Sequence, residues 1–138
     1  MKRLFLDANV LFTAAHNPAG KAALVIELGG KGYWEVLTST FAVEEARRNL
    51  ALKFPDCLPR LERLLADVAV FVSRLCGSCS LSLSPQDRII FLSALKCKAT
   101  HLLTGDIKHF GPFMNNPNLT LGIIIQTVAE FLTSIKRK

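Results

Sequence analysis

The chain has 138 residues, 50% of them hydrophobic, so it can bury one core but is too short for several domains. We therefore expect a single domain over residues 1–138. The formal charge of +6 at pH 7 suits a polyanionic partner such as RNA or DNA, although many basic proteins bind neither. No apolar run is long enough to cross a bilayer, and Asp7 interrupts the apolar start too early for a secretion signal. The expected location is the cytoplasm, without membrane contact.

The first half of the chain alternates strand and helix patterns. Two glycines, Gly29 and Gly30, stop the first helical stretch, and Pro55 closes the second. The predicted elements are a strand at 2–6, a helical stretch from about 10 to 30 with a break around Asn17 and Pro18, a strand at 34–37, and a helix at 41–53 opened by Ser39 or Thr40.

The second half continues this alternation, and its best-defined element is a helix with Ser84 as N-cap and Pro85 as first residue. That helix runs to about Cys97. The other predicted elements are a helix at 58–66, a strand at 68–72, a Ser-rich loop at 73–84, a strand at 101–104, a loop through Pro112 and Pro117, a strand at 119–124, a helix at 127–135 and a frayed tail at 136–138. The alternation predicts an α/β fold with a mostly parallel sheet of four to five strands.

The four cysteines raise the question of a disulfide or a zinc site. Only Cys76 and Cys79 have the CxxC spacing, and Cys57 and Cys97 do not form a second pair. Since a closed structural zinc site needs four ligands, the spacing favours reduced thiols.

Two aspartates, Asp7 and Asp106, each follow a predicted buried strand. Parallel strands of an open α/β sheet present their carboxyl ends at one edge, so these distant side chains can converge. A carboxylate in such a place is costly unless it caps the next helix, is paired or binds a metal ion. Because Mg²⁺ or Mn²⁺ would neutralise several converging carboxylates, we predict a metal site, with helix capping as the alternative.

Three further acids are candidate metal ligands. Each lies near the start of a predicted helix, and this position alone could explain why an acid is there. Asp87 stands three residues after Ser84, where a carboxylate stabilises a helix start even without a metal. Glu44 and Glu45 lie early in the helix at 41–53, where acids are common for the same reason. A helical step of about 100° separates these two glutamates, so only one can point into a given site.

Four segments of the chain together resemble the PIN-domain nucleases, and in particular the VapC-type toxins. The segments are LDANVL at 6–11, residues 38–45, residues 87–94 and LTGD at 103–106. The resemblance covers nearly the whole chain. It implies a three-layer α/β/α fold and an endoribonuclease that uses Mg²⁺ or Mn²⁺, the toxin of a type II toxin–antitoxin pair. An RNA-processing nuclease without an antitoxin and a non-catalytic RNA-binding module remain the alternatives.

The resemblance also implies which residues form the site. The catalytic and metal-binding acids would be Asp7, Glu45, Asp87 and Asp106, supported by Asn9 and Thr104. Glu45 is preferred to Glu44 because the family's helix glutamate tends to lie six residues after a strand-ending serine and five before an apolar residue, here Ser39 and Leu50. Glu44 is the fallback.

One departure from the family pattern follows the last aspartate. The family often has a further acid or polar residue there, whereas residues 107–110 contain no carboxylate. His109 or a substrate phosphate could compensate, and the alternative for His109 is a plain surface histidine. The occupancy of a second metal position is therefore left open.

Contacts with partners complete the expectations. Arg47, Arg48 and Lys108 are candidates for contacts to RNA phosphates, and a solvated surface or a contact with a partner protein is the alternative. Phe110 and Phe113 could stack on bases or belong to the core. The implied partners are an RNA substrate, a protein antitoxin that blocks the acidic groove, and a second copy of the chain in a homodimer.

Overall fold

The computed structural model describes residues 1–73, 79 and 81–136. Its strands are β1 (Arg3–Leu6), β2 (Glu35–Ser39), β3 (Ala69–Phe71), β4 (His101–Leu103) and β5 (Ile124–Gln126). In the described part of the chain they form one sheet in the order β3-β2-β1-β4-β5, and every neighbouring pair is parallel. The predicted parallel α/β sheet is therefore confirmed.

Seven α-helices accompany these strands within the described ranges. They are α1 (Ala8–His16), α2 (Lys21–Gly30), α3 (Thr40–Lys53), α4 (Leu58–Leu64), α5 (Pro85–Lys96), α6 (Ile107–Phe110) and α7 (Val128–Lys136). None of the described helices has both the length and the apolar character needed to cross a membrane.

The central strands of the sheet are buried on both faces. Leu4, Phe5 and Leu6 of β1 have no exposed surface, although successive side chains of a strand point to opposite faces. Leu102 and Leu103 of β4 are equally buried. Such strands need cover on both sides of the sheet, which is the three-layer α/β/α arrangement.

Local capping signals account for two helix starts that matter for the site. The hydroxyl of Ser39 accepts a hydrogen bond from the backbone N–H of Ala42 at 3.3 Å and begins α3. The hydroxyl of Ser84 accepts one from the N–H of Asp87 at 3.2 Å and begins α5, with Pro85 in its first turn as predicted. Both starts bring acidic residues of the following helix to the carboxyl edge of the sheet.

The strand predicted at 119–124 is wrong except for its last residue. Residues 117–122 form consecutive turns, and the strand begins only at Ile124. Leu121 and Gly122 have positive φ angles of 55° and 91°, which a strand does not accommodate. The buried hydroxyl of Thr120 donates to the carbonyl of Asn116 and stabilises the turns, so the apolar sequence alone was misleading.

Smaller differences concern element boundaries. A short helix, α6, occupies part of the loop expected after Asp106, because the Asp106 side chain caps it. The strand predicted at 34–37 extends to Ser39, and the one at 68–72 is shortened to β3.

Three cysteines lie in the described part of the chain. Cys57, Cys79 and Cys97 are free thiols there. Cys76 lies outside the described residues, and so do half of the Ser-rich loop, at 74–78 and 80, and the last two residues of the predicted tail. The CxxC interpretation therefore stays a prediction.

Candidate acidic metal centre

The carboxyl ends of β1 and β4 are neighbours, and this places two of the predicted acids at one edge of the sheet. Leu6 pairs in register with Leu103, and the backbone N–H of Asp7 continues the ladder by donating to the Leu103 carbonyl at 3.0 Å. Thr104 therefore lies beside Asp7. Residues that are far apart in the chain converge because two parallel strands end together.

Asp7 is a buried carboxylate that the surrounding residues hold in place. Its Oδ1 accepts a hydrogen bond from the N–H of Ala8 at 2.7 Å, so it also caps α1. Its Oδ2 accepts from the hydroxyl of Thr104 at 2.8 Å and from the amide of Asn9 at 3.3 Å. Burial raises the pKa of Asp7 to about 6, and the charges of Glu45 and Asp87 add to this rise. The hydrogen bonds from the Thr104 hydroxyl and the Ala8 N–H act in the opposite direction and lower the pKa. The site thus contains a desolvated negative charge.

Asn9 and Thr104 connect the ends of the two strands. The Asn9 amide donates to the Thr104 hydroxyl at 3.3 Å, and its Oδ1 accepts from the N–H of Gly105 at 2.7 Å. The Thr104 hydroxyl, which donates to Asp7, also accepts from the N–H of Asp106 at 3.0 Å. One hydroxyl therefore fixes the positions of the first and last aspartates relative to each other.

The two glutamates of α3 point in different directions. Glu45 lines the same cleft as Asp7, whereas Glu44 is largely exposed and forms an ion pair with Arg47 at 2.7 Å. The pKa of Glu45 is raised by burial, lowered by the neighbouring charge of Arg48, and raised again by Asp87 and Asp106. Of the two, only Glu45 is placed to act together with the aspartates.

Asp87 serves as a helix-start residue and as part of the cleft at once. The hydroxyl of Ser84 donates to its Oδ2 at 2.8 Å, which is a local contact at the start of α5. The side chain also lines the cleft with Asp7 and Asp106. The capping alternative and the ligand prediction are therefore compatible at this position.

Asp106 is partly buried and pairs with His109 one turn later. Its Oδ1 accepts from the N–H of His109 at 3.3 Å, and its Oδ2 lies 2.7 Å from the His109 Nδ1. The hydrogen bond to Asp106 and the charge of that aspartate raise the pKa of His109. Asp87, Asp106 and His109 each offer a ligand atom, and these three atoms lie within 4.8 Å of one another.

These side chains enclose a cleft of about 190 Å³ at the carboxyl edge of the sheet. Its lining consists of Asp7, Asn9, Glu45, Ser84, Gln86, Asp87, Ile90, Asp106 and His109. Four carboxylates share the cleft, and carboxylate oxygen is the donor that Mg²⁺ and Mn²⁺ prefer. The pKa of Asp7 is raised chiefly by burial and further by the charges of Glu45 and Asp87. A divalent cation among these carboxylates would offset both effects, so the residues of the cleft fit such an ion.

The three predicted RNA-contact residues lie in different surroundings. Arg47 is engaged by carboxylates, because its guanidinium donates to both oxygens of Glu62 at 2.8 Å and to Glu44 at 2.7 Å. Arg48 is exposed and close enough to Glu45 to lower its pKa. Lys108 is exposed on α6. Arg47 is therefore not brought to the cleft, whereas Arg48 is close to a cleft residue.

The two phenylalanines after Asp106 belong to the core. Phe110 has no exposed surface, and Phe113 is partly buried against the core. Phe110 therefore cannot stack on a base.

Sequence reasoning missed a second cavity that adjoins the cleft. It measures about 800 Å³ and shares Asn9 and Asp106 with the cleft. Its other walls come from α1, the start of α2 and the start of α7, including Val10, Lys21 and Val128. No motif joins Lys21 and Val128 to Val10, because the three residues meet only through the packing of three helices.

Comparisons with known proteins support the fold. No protein-family model and no curated protein sequence matches the chain. One similar structure is the crystal structure of VapBC2 from Rickettsia felis bound to a DNA fragment from the VapBC2 promoter. A chain of it matches with a TM-score of 0.65 at 16% identity, over 91% of this chain and 98% of that one. A chain of the VapBC-1 structure from nontypeable Haemophilus influenzae matches with a TM-score of 0.57 at 14% identity, over 92% and 98%. The predicted PIN-like fold is confirmed.

Proposed function

We propose that this PIN-fold protein is a metal-dependent endoribonuclease of the VapC type. The observation that carries the proposal is the convergence of Asp7, Glu45, Asp87 and Asp106 in one cleft. Like charges gathered in this way repel one another unless a bound cation neutralises them, so such a cluster is typical of a functional site. The net charge of +6, with four acids gathered in the cleft, leaves a basic remainder suited to a phosphate backbone.

The four acids would hold Mg²⁺ or Mn²⁺. When bound, such an ion supplies charge that activates a water nucleophile and stabilises the leaving oxygen of a phosphodiester. Asn9 and Thr104 keep the carboxylate of Asp7 in a single orientation, and Ser84 does the same for Asp87. The chain therefore provides preorganised carboxylate ligands that need little rearrangement when a metal ion binds.

Glu45, which lines the cleft and whose pKa is raised by burial, would accept a proton from the attacking water. Water oxygen bonds to phosphorus, the bond from phosphorus to the 3′-oxygen breaks, and that oxygen leaves with a proton. The products are a 5′-phosphate and a 3′-hydroxyl. No covalent intermediate with the protein is needed.

The chain would act as the toxin of a toxin–antitoxin pair. Support comes from the two similar structures, which are VapBC structures by their own description. The cleft is acidic and open to solvent, so an antitoxin that inserts a cationic side chain would neutralise the acids and exclude RNA. We expect induced expression of the wild type to arrest growth of a bacterial host, and expression of Asp7→Asn not to. Growth arrest by both would contradict the proposal.

We further propose that the protein is cytoplasmic and forms a homodimer. Several apolar side chains are well exposed in the described chain, among them Val72 at 75% and Leu121 at 71%. Burying such residues against a second copy would stabilise a dimer. Light scattering on a size-exclusion column should give twice the mass of 15.2 kDa, and a monomer at micromolar concentration would contradict this.

Cleavage of a mixed single-stranded RNA pool tests the proposed reaction. Purified protein is incubated with Mg²⁺, Mn²⁺ or EDTA beside the Asp7→Asn variant, and the product ends are mapped. We expect metal-dependent cleavage that leaves 5′-phosphates and is lost in the variant. Cleavage that survives both EDTA and Asp7→Asn, or no cleavage with either metal, would overturn the proposal.

A further inference from the structure

The only imidazole among the described side chains that line the cleft is that of His109. His109 is a nitrogen donor in a cleft whose other titratable members are the carboxylates of Asp7, Glu45, Asp87 and Asp106. It is exposed, so its ring can reach a solute in the cleft without rearrangement of the core. Three histidines occur in the chain, and His109 is the one that lies here.

The short helix α6 fixes the position of His109. Asp106 caps α6 by accepting the N–H of His109, and the next residue, Phe110, is fully buried and anchors the helix. The imidazole is thereby held against Asp106, with Nδ1 2.7 Å from Oδ2. A histidine on an unanchored surface loop would not be held in this way.

The spacing of these donors is close to that of ligands around one ion. Neighbouring ligands of an octahedral ion with bonds of about 2.1 Å lie about 3 Å apart. His109 Nδ1 lies 2.7 Å from Asp106 Oδ2 in their hydrogen bond, and one ligand atom from each of Asp87, Asp106 and His109 lies within 4.8 Å of the other two. Small side-chain rotations would bring all three atoms around a common centre.

We propose that the imidazole of His109 is a direct ligand of the divalent ion, together with Asp87 and Asp106, and that it makes the centre favour Mn²⁺ over Mg²⁺. The inference rests on the proposed metal-dependent function. On metal binding, His109 exchanges its hydrogen bond with Asp106 for a bond to the ion. First-row divalent metals accept imidazole readily, whereas Mg²⁺ prefers oxygen. His109 would thus supply a ligand from residues 107–110, a segment that contains no carboxylate.

Pulsed electron paramagnetic resonance on Mn²⁺ detects this bond directly, because a coordinated imidazole gives nitrogen-14 modulation. The metal-free full chain is loaded with one equivalent of Mn²⁺. We expect nitrogen modulation in the wild type and its loss in His109→Gln and His109→Asp. The matched control is His16→Gln, which removes an exposed histidine that stacks on Phe54 and does not line the cleft; its modulation should equal that of the wild type.

Calorimetric titration of the same proteins measures the metal preference. In His109→Gln the Mn²⁺ dissociation constant should rise about tenfold while that of Mg²⁺ stays nearly unchanged. In His109→Asp, which restores a carboxylate, Mg²⁺ affinity should rise. A residue that only orders α6 would change both metals equally.

Two results would overturn the inference: absence of nitrogen modulation in the wild type, or its persistence in His109→Gln. Both are independent of the proposed reaction. Nitrogen modulation without RNA cleavage would leave the ligand assignment standing and remove the nuclease, and cleavage without nitrogen modulation would do the reverse. Failure of Mn²⁺ to bind at all would remove both.

Discussion

Asp7 carries its negative charge where water hardly reaches. Only 5% of its surface is exposed, and its three hydrogen bonds do not fully compensate for the lost hydration, so its pKa is raised to about 6. A divalent ion beside it would supply the missing compensation. In the absence of metal, this residue should make the stability of the protein depend on pH.

The first prediction is that the metal-free protein loses stability as the pH rises from about 4 to about 6. In this window the folded state retains a proton on Asp7 that the unfolded state, with its ordinary pKa of 3.8, has already released. The loss for a shift of about two units is about 3 kcal/mol, and the raised pKa of Glu45 acts in the same direction. Urea unfolding in EDTA at several pH values measures it. Asp7→Asn should show a much weaker decline, and an equal decline in both proteins would contradict the assignment.

The second prediction concerns Thr104, whose hydroxyl contacts both ends of the site. Thr104→Val removes the donor to Asp7 and the acceptor for the Asp106 N–H, so that Asp7 Oδ2 keeps only its longer hydrogen bond from Asn9 and the Asp106 N–H loses its partner. We expect a loss of about 1–3 kcal/mol in unfolding free energy together with weaker Mn²⁺ binding. Thr104→Ser keeps the hydroxyl and is the control. If Thr104→Val bound Mn²⁺ as tightly as Thr104→Ser does, the hydroxyl would not be positioning the acids.

Along helix α3, two neighbouring arginines have different surroundings. Arg47 is held by Glu62 of α4 and by Glu44, whereas Arg48 is exposed and acts on Glu45. The third prediction is that Arg48→Gln lowers kcat/KM for RNA about fivefold, the effect of losing one phosphate contact of about 1 kcal/mol.

Arg47→Gln is the matched comparison on the same helix. It should leave kcat/KM nearly unchanged and lower the unfolding free energy by up to about 1 kcal/mol, since its ion pairs are partly exposed. A larger effect on kcat/KM from Arg47→Gln than from Arg48→Gln would contradict this assignment.

Elements with strong local signals could be predicted from the sequence, and those set by distant contacts could not. The strand before Asp7 and the helix after Ser84 have an apolar pattern or a cap that is visible in a few residues. The strand predicted at 119–124 failed because positive φ angles at Leu121 and Gly122 depend on how the turn packs. The pairing of Arg47 with Glu62 joins two helices and leaves no trace in either segment.

The same distinction holds for the site. The convergence of Asp7 and Asp106 was predictable because parallel strands end at one edge of the sheet. The direction of Glu45 rather than Glu44 was implied only by resemblance, and the structure places it through the start of α3 at Ser39. The contact of His109 with Asp106 could not be predicted, because no local signal in residues 107–110 marks the short helix that creates it.

At the scale of the whole molecule, an acidic cleft lies in a protein with a net charge of +6. The fourth prediction is that binding of single-stranded RNA weakens strongly with salt, with a slope of log K against log salt of about −0.7 per phosphate contacted. Asp7→Asn in EDTA allows binding to be measured by fluorescence anisotropy without cleavage. Salt-independent binding would contradict a phosphate-binding surface.

The central claim is that the acids of the cleft, and not acidic residues in general, carry out RNA hydrolysis. Glu44 and Glu45 test it most directly, because they are neighbours on α3 and only Glu45 lines the cleft. The measurement is the single-turnover rate of RNA cleavage in Mn²⁺ for Glu45→Gln and Glu44→Gln. We predict a loss of about 100-fold or more for Glu45→Gln and a rate near that of the wild type for Glu44→Gln. Equal rates for the two variants, whether both high or both low, would contradict the account.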